Sequence, residues 1–584
     1  MINNILVKSG IVSAVAVAAV GLGVFSLRAS YTGIRAGKAD ANYIKSTDCR
    51  VCHEDHYASW ERTHHSKMTQ DASDASVQGD FDKNNTFEFQ GVTARMSRNE
   101  GSYAMRIAYA DGKVENYGIA RTTGSRRVEQ YIARVGTQYF RLPVAWDVEQ
   151  KRWMHLNGSF FYPDGADFKR HFTQWDTNCV FCHNVKAQPN FNFGTRQANT
   201  EVAELGIACG ACHAQGAEHA DEASSPLRRA TWRYGSDENT HIVDPLKLDS
   251  DTALMVCGHC HGQRSPEPQD RIREILSVGD PFDAGENLNK YYRPVHSDTT
   301  IGNVSFASRF WADGSPRLTA YEYQGILASP CFLKGDPGKR ITCTSCHTMH
   351  DGDVKGQLLD EKRTNAACAR CHTTLVDEAA LKAHTKHEPK STGSSCYSCH
   401  MPEVVYGVQS IHPTHQISIP DPGKTADLGV PNACNQCHVN KSLKWVTTSA
   451  RSMWPDRYRE LKEPQGSDYE MPETVRSSFA GDALTRALMV DAIAKRGERT
   501  WARAFLVEAF AGDNYPVVRY FAANGLASID PSIGKPDYLA DASVRDKQIA
   551  PWIARLDTAS WKAAHEQATR LRGGRRDVDI EVGE

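Results

Sequence analysis

Sixteen of the seventeen cysteines stand in one five-residue pattern, Cys-x-x-Cys-His, which occurs eight times in the 584 residues. At the Cys and His frequencies of this chain, about 0.02 copies would arise by chance. The repetition therefore reflects function. In chain order the copies are Cys49-Cys52-His53, Cys179-Cys182-His183, Cys209-Cys212-His213, Cys257-Cys260-His261, Cys343-Cys346-His347, Cys368-Cys371-His372, Cys396-Cys399-His400 and Cys434-Cys437-His438.

Two thiols at this spacing can form thioethers to the two vinyl groups of one haem, and the histidine that follows can then ligate the iron. The pattern predicts eight covalently bound haems c, held by the sixteen motif cysteines, with the eight motif histidines as proximal iron ligands. Three other uses of such cysteines fit poorly. Zinc sites do not require a histidine after every Cys-x-x-Cys pair, disulfide frameworks are typical of short secreted chains, and a thioredoxin-like motif occurs once in a domain.

The histidines outside the motifs are candidates for the sixth iron ligand. The chain has 23 histidines, so fifteen remain. Such an excess predicts haems ligated by two histidines, which are low-spin, closed to substrate and low in potential relative to Met-ligated haems. The alternative for each residue is a partner of a haem propionate or a surface histidine. The first candidates are His64 or His65, His155, His219, His350, His387 and His415; a second group is His171, His241, His296, His384 and His412.

Cys331 is the cysteine that no motif contains. A small buried thiol is the ordinary interpretation of such a residue. A reactive thiolate that serves a substrate at a haem is the alternative, but the sequence offers no base to support it.

Composition restricts the class of protein. The chain is 40% hydrophobic and 24% charged, with a formal net charge of −2. These values exclude a disordered chain, a collagen and a polytopic membrane protein. The near-zero charge gives no basic footprint for nucleic acid, so no nucleic-acid partner is expected.

The N-terminus predicts export. Residues 9–27 form an uncharged stretch of nineteen residues, followed by Arg28. This stretch exceeds the usual core of a signal peptide and approaches membrane-spanning length. Residues 1–30 are therefore either a cleaved export signal or an N-terminal anchor in the inner membrane. In both cases the body of the protein lies outside the cytoplasm, in the periplasm.

The rest of the chain divides into zones. Residues 40–80 carry the first haem site, and residues 81–165 alternate in polarity, which predicts an antiparallel β insertion. Residues 170–440 form a seven-haem core, whose last four motifs fit within 96 residues, too few for an ordinary apolar core. Residues 441–584 show helical periodicity and a charged tail. Their helices predict either a plain helical cap or a HEAT-like protein-binding surface. The fold class is thus mainly α with sparse secondary structure.

With these features the chain resembles multihaem c-type cytochromes of the doubled-CxxCH type, which are often fused to tetratricopeptide or HEAT-like repeats. The resemblance covers residues 43–529. It is carried by residues 47–53 with Trp60, His64 and His65, and by residues 142–147, 153–156, 206–219, 311–314, 342–350 and 431–438. One departure is Ala214-Gln215-Gly216 after the third motif, where similar chains have Gly-Pro-Gly.

Two functions follow. The resemblance favours an electron carrier that relays electrons in a periplasmic or membrane-associated, anaerobic respiratory chain, between a quinol dehydrogenase and a terminal reductase or an outer-membrane conduit. The alternative is a haem enzyme that acts on a small nitrogen or sulfur oxyanion at one five-coordinate haem. No Cys-x-x-Cys-Lys motif of the nitrite reductase kind occurs in the chain.

Overall fold

The fold is described from a computed structural model. It describes residues 42–124, 126–235, 239–318, 321–338, 340–354, 356–575 and 577–578. The predicted export segment, residues 9–27, lies outside this description. Within the described ranges, no helix is both long enough and apolar enough to cross a membrane.

The predicted β insertion is a nine-stranded antiparallel sheet in which β2 to β8 follow one another, while β1 pairs with β5 and β9 with β7. Alternation along β4 buries Tyr103, Met105 and Ile107 on one face, against Phe81 and Trp153. The strands are β1 Thr69–Asp71, β2 Thr86–Phe89, β3 Val92–Asn99, β4 Ser102–Ala108, β5 Val114–Thr123, β6 Val128–Val135, β7 Gln138–Asp147, β8 Arg152–His155 and β9 Thr173–Gln174.

The zone that carries the motifs has short helices and four two-stranded ribbons. The ribbons are β10 Asn184–Val185 with β11 Glu204–Leu205, β12 Arg264–Pro266 with β13 Tyr292–Pro294, β14 Thr300–Ile301 with β15 Val304–Ser305, and β16 Glu403–Val405 with β17 Ile411–Pro413. The helices are α1 Ser46–Cys49, α2 Glu54–Glu61, α3 Val180–His183, α4 Cys209–His213, α5 Ala217–Ala223, α6 Pro226–Tyr234, α7 Ser250–Gly258, α8 Ile272–Val278, α9 Glu322–Leu327, α10 Pro330–Leu333, α11 Ala366–Ala369, α12 Glu378–Thr385, α13 Cys396–His400, α14 Gly423–Leu428 and α15 Ala433–Cys437.

Several of these helices contain no buried residue. None of the residues of α4, α11 and α12 is buried in the protein alone. Nine buried side chains, Leu254 and Phe282 among them, form the largest apolar cluster confined to this zone. The chain therefore supplies little core of its own around the last four motifs.

The C-terminal region is helical, as its periodicity predicts. Its helices are α16 Leu443–Met453, α17 Pro455–Tyr458, α18 Glu473–Ala480, α19 Ala483–Arg496, α20 Arg499–Gly512, α21 Pro516–Ile529, α22 Ala542–Ile553 and α23 Thr558–Gly573. Helices α18 to α23 pack around the largest apolar core of the described chain. Helix makes up 41% and strand 17% of the structure, so the prediction of a mainly α fold holds only in part, because the sheet is a substantial second component.

Partly buried ion pairs join the helical region to the sheet and to the loop that follows it. The guanidinium of Arg519, which is 1% exposed, donates to both carboxylate oxygens of Asp164 at 2.8 and 2.9 Å. Arg152 on β8 donates to Asp537 at 2.6 Å. A buried charge needs such partners, so these pairs fix how the two regions meet.

Candidate haem sites

Each motif is held as one helical turn. The backbone amide of the motif histidine donates to the carbonyl of the first cysteine, at 2.8 Å for His261 and Cys257 and at 2.7 Å for His438 and Cys434. An i to i−4 bond of this kind brings the ends of the pentapeptide onto one side of the turn. The two thiols and the imidazole of a motif can therefore reach one cofactor.

The cysteines are not arranged for the two other uses considered. All seventeen are free thiols. In the described part of the chain, the group with three or more metal-ligating atoms in close reach is Glu218, Glu222 and His241, and it contains no cysteine. The Cys-x-x-Cys pairs therefore form neither disulfides nor four-ligand zinc cages.

Six of the eight motif histidines face a second histidine from elsewhere in the chain. The ring centroids in these six pairs lie 6.0 to 6.3 Å apart, and five of the six pairs have interplanar angles of 33° or less. The pairs are His53 with His219, His213 with His350, His261 with His65, His347 with His415, His400 with His384, and His438 with His387.

This spacing fits one metal ion between two imidazoles. Metal–imidazole bonds of about 2.0–2.1 Å place the two ring centroids about 6.2–6.4 Å apart. His56 stacks on His350 at the shorter distance of 4.3 Å, and it also lies 6.1 Å from His53, three residues before it. The six pairs are thus separated as two axial ligands of one iron would be.

Backbone carbonyls orient the imidazoles. A carbonyl oxygen can only accept, so a hydrogen bond from Nδ1 to a carbonyl fixes the proton on Nδ1 and leaves the Nε2 lone pair for a metal. Five histidines of the pairs make this bond at 2.7–2.8 Å: His213 to Val243, His219 to Thr240, His347 to Gly356, His387 to Thr385 and His400 to Ser418.

Burial keeps the imidazoles in the form that binds metal. It lowers the pKa of His65 to about 4, with a further contribution from His261. Burial also lowers the pKa of His347 and of His415. Since a metal ligand must be the neutral imidazole, these sites are poised for ligation at neutral pH.

In each pair, the second histidine lies in a segment that does not directly follow the motif it faces. His65 follows the first motif and faces the fourth, and His350 follows the fifth motif and faces the third. His219 follows the third motif and faces the first. A cofactor in five of the six pairs would therefore join segments that are about fifty residues or more apart in the sequence; the exception is His384 with His400, sixteen residues apart.

Thiols of different motifs also lie next to one another. Cys49 lies beside Cys209, Cys182 beside Cys260, Cys257 beside Cys343, and Cys368 beside Cys396. Cys212 lies near Cys257, Cys346 near Cys368, and Cys399 near Cys434 and Cys437. These neighbours place the motifs in the continuous order 1, 3, 4, 5, 6, 7, 8, with motif 2 beside motif 4.

Two motif histidines lack such a partner. In the described residues, no histidine ring lies opposite His183 or His372 at the spacing of the six pairs. Nδ1 of His183 lies 3.2 Å from the hydroxyl of Thr123 at the end of β5. That hydroxyl donates to the Met68 carbonyl and lies 3.9 Å from the Met68 sulfur, so Met68 is on the Nδ1 side of the ring, away from the metal-binding nitrogen.

The structure places some of the histidines predicted from the sequence opposite a motif histidine and others elsewhere. His65, His219, His350, His387 and His415 all lie opposite a motif histidine. His384, from the second group, lies opposite His400. It could have been ranked higher, because it stands three residues before His387, at the spacing of neighbours on one helix face.

Two first candidates lie elsewhere. The structure places His65, rather than His64, opposite His261, and the buried Nε2 of His64 has no hydrogen-bond partner among the described residues. Nε2 of His155 donates to the Phe168 carbonyl, and its Nδ1 accepts from the amide of Asn157. Both ring nitrogens of His155 are thus used in the packing of the sheet, and its role as an iron ligand stays a prediction.

An open groove lies beside the seventh motif. Its lining includes Cys399, Ser418, whose carbonyl orients His400, and the basic residues Arg317 and Lys424. Thiol, oriented imidazole and cations are the groups that a haem c with its propionates requires, so the residues fit this cofactor.

Two family models match parts of the chain that carry three of the eight motifs. Residues 336–377 match the family described as "Doubled CXXCH motif", and residues 48–95 match the family "Cytochrome c554 and c-prime". No curated protein matches the chain.

Two solved structures are similar. One is the outer cell wall cytochrome OcwA, at 16% identity and a TM-score of 0.46, covering 88% of this chain and 100% of the other. The second is the undecaheme cytochrome from the S-layer of Carboxydothermus ferrireducens, at 14% identity and a TM-score of 0.34, covering 91% of this chain and 70% of the other.

Proposed function

Because the chain is a multihaem c-type cytochrome with doubled CXXCH motifs, we propose that it carries eight haems c and relays electrons outside the cytoplasm. Haem c supplies a one-electron redox couple when bound. The partners we propose are a quinol dehydrogenase on one side and a terminal reductase or an outer-membrane conduit on the other.

The set of six histidine pairs carries this proposal. An iron with two imidazoles has no open position, so such a site can exchange electrons but cannot bind substrate. With an iron in each of the six pairs, three quarters of the motifs would be closed in this way, which favours transfer over catalysis as the main function.

The order of the motifs supports the same function. Seven motifs follow one another through neighbouring thiols, so a cofactor in each would have its nearest neighbour within the series. The motifs at the surface are candidates for exchange with partners. Cys52 and His53 of the first motif, and Cys371 and His372 of the sixth, are exposed in the protein alone.

Three measurements on the holoprotein test this function. Pyridine haemochrome assay and intact mass should give eight covalent haems per chain, and six or fewer in mature protein would contradict the motif interpretation. Magnetic circular dichroism should show six haems with two imidazole ligands. Cell fractionation should place the protein outside the cytoplasm, and the N-terminus of the native protein should show whether residues 1–30 are retained as an anchor or removed.

A second function, reductive or oxidative chemistry on a small nitrogen or sulfur oxyanion, is favoured by one observation. His183 is half-buried, is oriented by Thr123, and has no histidine opposite it among the described residues. A haem held by His183 would keep one iron position open for a small ligand. The chain's contribution is a rigid proximal side, because Thr123 ties the imidazole to the end of β5.

Ligand binding separates the two functions. If the second function holds, nitrite or sulfite should perturb the spectrum of the oxidised holoprotein, and Cys179→Ala with Cys182→Ala should abolish that change together with one haem. Cys434→Ala with Cys437→Ala is the matched control, because it also removes one haem, but His438 faces His387 and the anion-dependent change should persist. A spectrum that neither anion changes would leave electron transfer as the only function.

A further inference from the structure

Helix α6 presents an apolar stripe to solvent. Leu227 and Tyr234 are 75% and 80% exposed, among the most exposed large apolar residues described. Together with Ala230 they stand at helical positions i, i+3 and i+7, which form one face. Exposed leucine and tyrosine in one stripe indicate a surface that is covered by something in the cell.

Positive charge borders this stripe. The nine residues of α6 include Arg228, Arg229 and Arg233 and no acidic residue. Arg228 pairs with Glu222. In the described part of the chain, Arg229 and Arg233 have no carboxylate within ion-pair distance, and both are exposed. Leu227, Tyr234, Arg229 and Arg233 are called the α6 surface below.

The opposite side of α6 faces the first haem site. Trp232 stacks on His219 with ring centroids 5.3 Å apart and planes 6° apart. His219 in turn lies opposite His53. Trp232 therefore marks the face of α6 that would cover a cofactor between His219 and His53. The stripe of Leu227, Ala230 and Tyr234 is on a different face, which is directed outward.

The N-terminal segment enters the fold next to this helix. The carbonyl of Asn42 accepts from the amides of Gly216 and Ala217, each at 3.1 Å, at the start of α5, the helix directly before α6. Fourteen residues lie between Leu27, the end of the apolar stretch, and Asn42. Even fully extended they span at most about 50 Å. If the apolar stretch lies in a membrane, α6 is held near that membrane.

We propose that the α6 surface docks on an anionic lipid bilayer and turns the first haem site toward the membrane. A helix with leucine and tyrosine on one face and flanking arginines is the type that lies in the interface, with its apolar side among the headgroups and its cations on anionic lipid. The distance argument rests on the proposed N-terminal membrane segment; the residues of the surface do not depend on it.

Hydrogen–deuterium exchange of the full-length holoprotein on vesicles tests the proposal. Amides of residues 226–235 should be protected more strongly on vesicles of phosphatidylcholine with phosphatidylglycerol than on phosphatidylcholine alone. The N-terminal stretch can insert into both kinds of vesicle, so the difference isolates the contribution of anionic lipid at α6.

Variants identify the residues responsible. Arg229→Gln with Arg233→Gln should remove the phosphatidylglycerol-dependent protection, and Leu227→Ser with Tyr234→Ser should remove most of the protection on both vesicles. Leu333→Ser with Val376→Ser, at residues 63% and 67% exposed elsewhere, is the matched control and should leave it unchanged. Haem content measured on every variant excludes misfolding as the cause.

Two outcomes would overturn the proposal. One is equal exchange of residues 226–235 on both vesicles in a protein that sediments with them. The other is protection that appears without vesicles and grows with protein concentration, which would show that a second copy of the chain covers α6. Release of the protein from cell membranes would instead contradict the proposed N-terminal membrane anchor. The exchange measurement on vesicles would then still decide whether the α6 surface binds anionic lipid.

Discussion

Exchanging one of two neighbouring histidines for methionine should shift the potential of one haem at a time. His384 and His387 lie three residues apart, and their rings face His400 at 6.1 Å and His438 at 6.0 Å. A Met ligand raises the potential of a haem relative to a second histidine. His387→Met should therefore raise the potential of the eighth site, and His384→Met that of the seventh.

The size of the effect follows from the structure. One of eight haems is altered, so one eighth of the total absorbance change of a redox titration should move to higher potential. In His387→Met the Thr385 carbonyl also loses the Nδ1–H donor at 2.7 Å. Because Thr385 is half-buried and water can replace the donor, the cost in stability should be about 1 kcal/mol.

Each variant serves as the control for the other. Optical redox titration with haem counting should show the same amplitude shifted in both variants, and twice that amplitude in the double variant. A titration of His387→Met that matches the wild type would remove His387 from the axial ligands. A shift spread over many haems would refute the assignment of one histidine to one site.

Three further predictions follow. Cys396→Ala with Cys399→Ala should lose one haem and lower the thermal stability of the whole segment from Cys343 to His438; normal stability with seven unaltered haems would contradict the view that cofactors form this core. Asp164→Asn should destabilise the protein by about 2–3 kcal/mol in denaturant unfolding, because the buried guanidinium of Arg519 loses its carboxylate partner. The loss is smaller than for a fully buried ion pair because Asp164 is 47% exposed. Burial lowers the pKa of His155 to about 4, below its value in the unfolded chain, so the unfolded state binds more protons between these two pKa values. The free energy of unfolding should therefore fall by up to about 3 kcal/mol as the pH drops from about 6.5 to 4. His155→Gln should flatten this part of the curve of unfolding free energy against pH, and an unchanged curve would exclude His155 as its source.

Much of the fold could be predicted where one local rule is sufficient. Alternation along residues 103–109 predicts β4 and its buried face, because side chains on a strand point to opposite sides. Helix α21 begins at Pro516, as the Asp513–Pro516 sequence and the following apolar periodicity indicate. The motif turns follow from the pattern itself.

The pairing of histidines could not be predicted in the same way. His65 is twelve residues from His53 but faces His261, nearly two hundred residues away. His155 lies close to the second motif in sequence, but the sheet uses both of its nitrogens. Which histidine meets which motif depends on how distant segments pack, and a single sequence contains no rule for that.

This non-local pairing has a consequence for folding. A cofactor between His65 and His261, or between His350 and His213, would join segments that the polypeptide alone holds weakly, since α4, α11 and α12 bury no residues in the protein alone. Binding free energy at such sites is folding free energy, because the ligands are brought together only in the folded chain. The sheet and the C-terminal helices have apolar cores of their own and need no such help. Haem attachment should thus set the stability of the motif zone, while the two flanking regions can form before it and hold the motifs near one another.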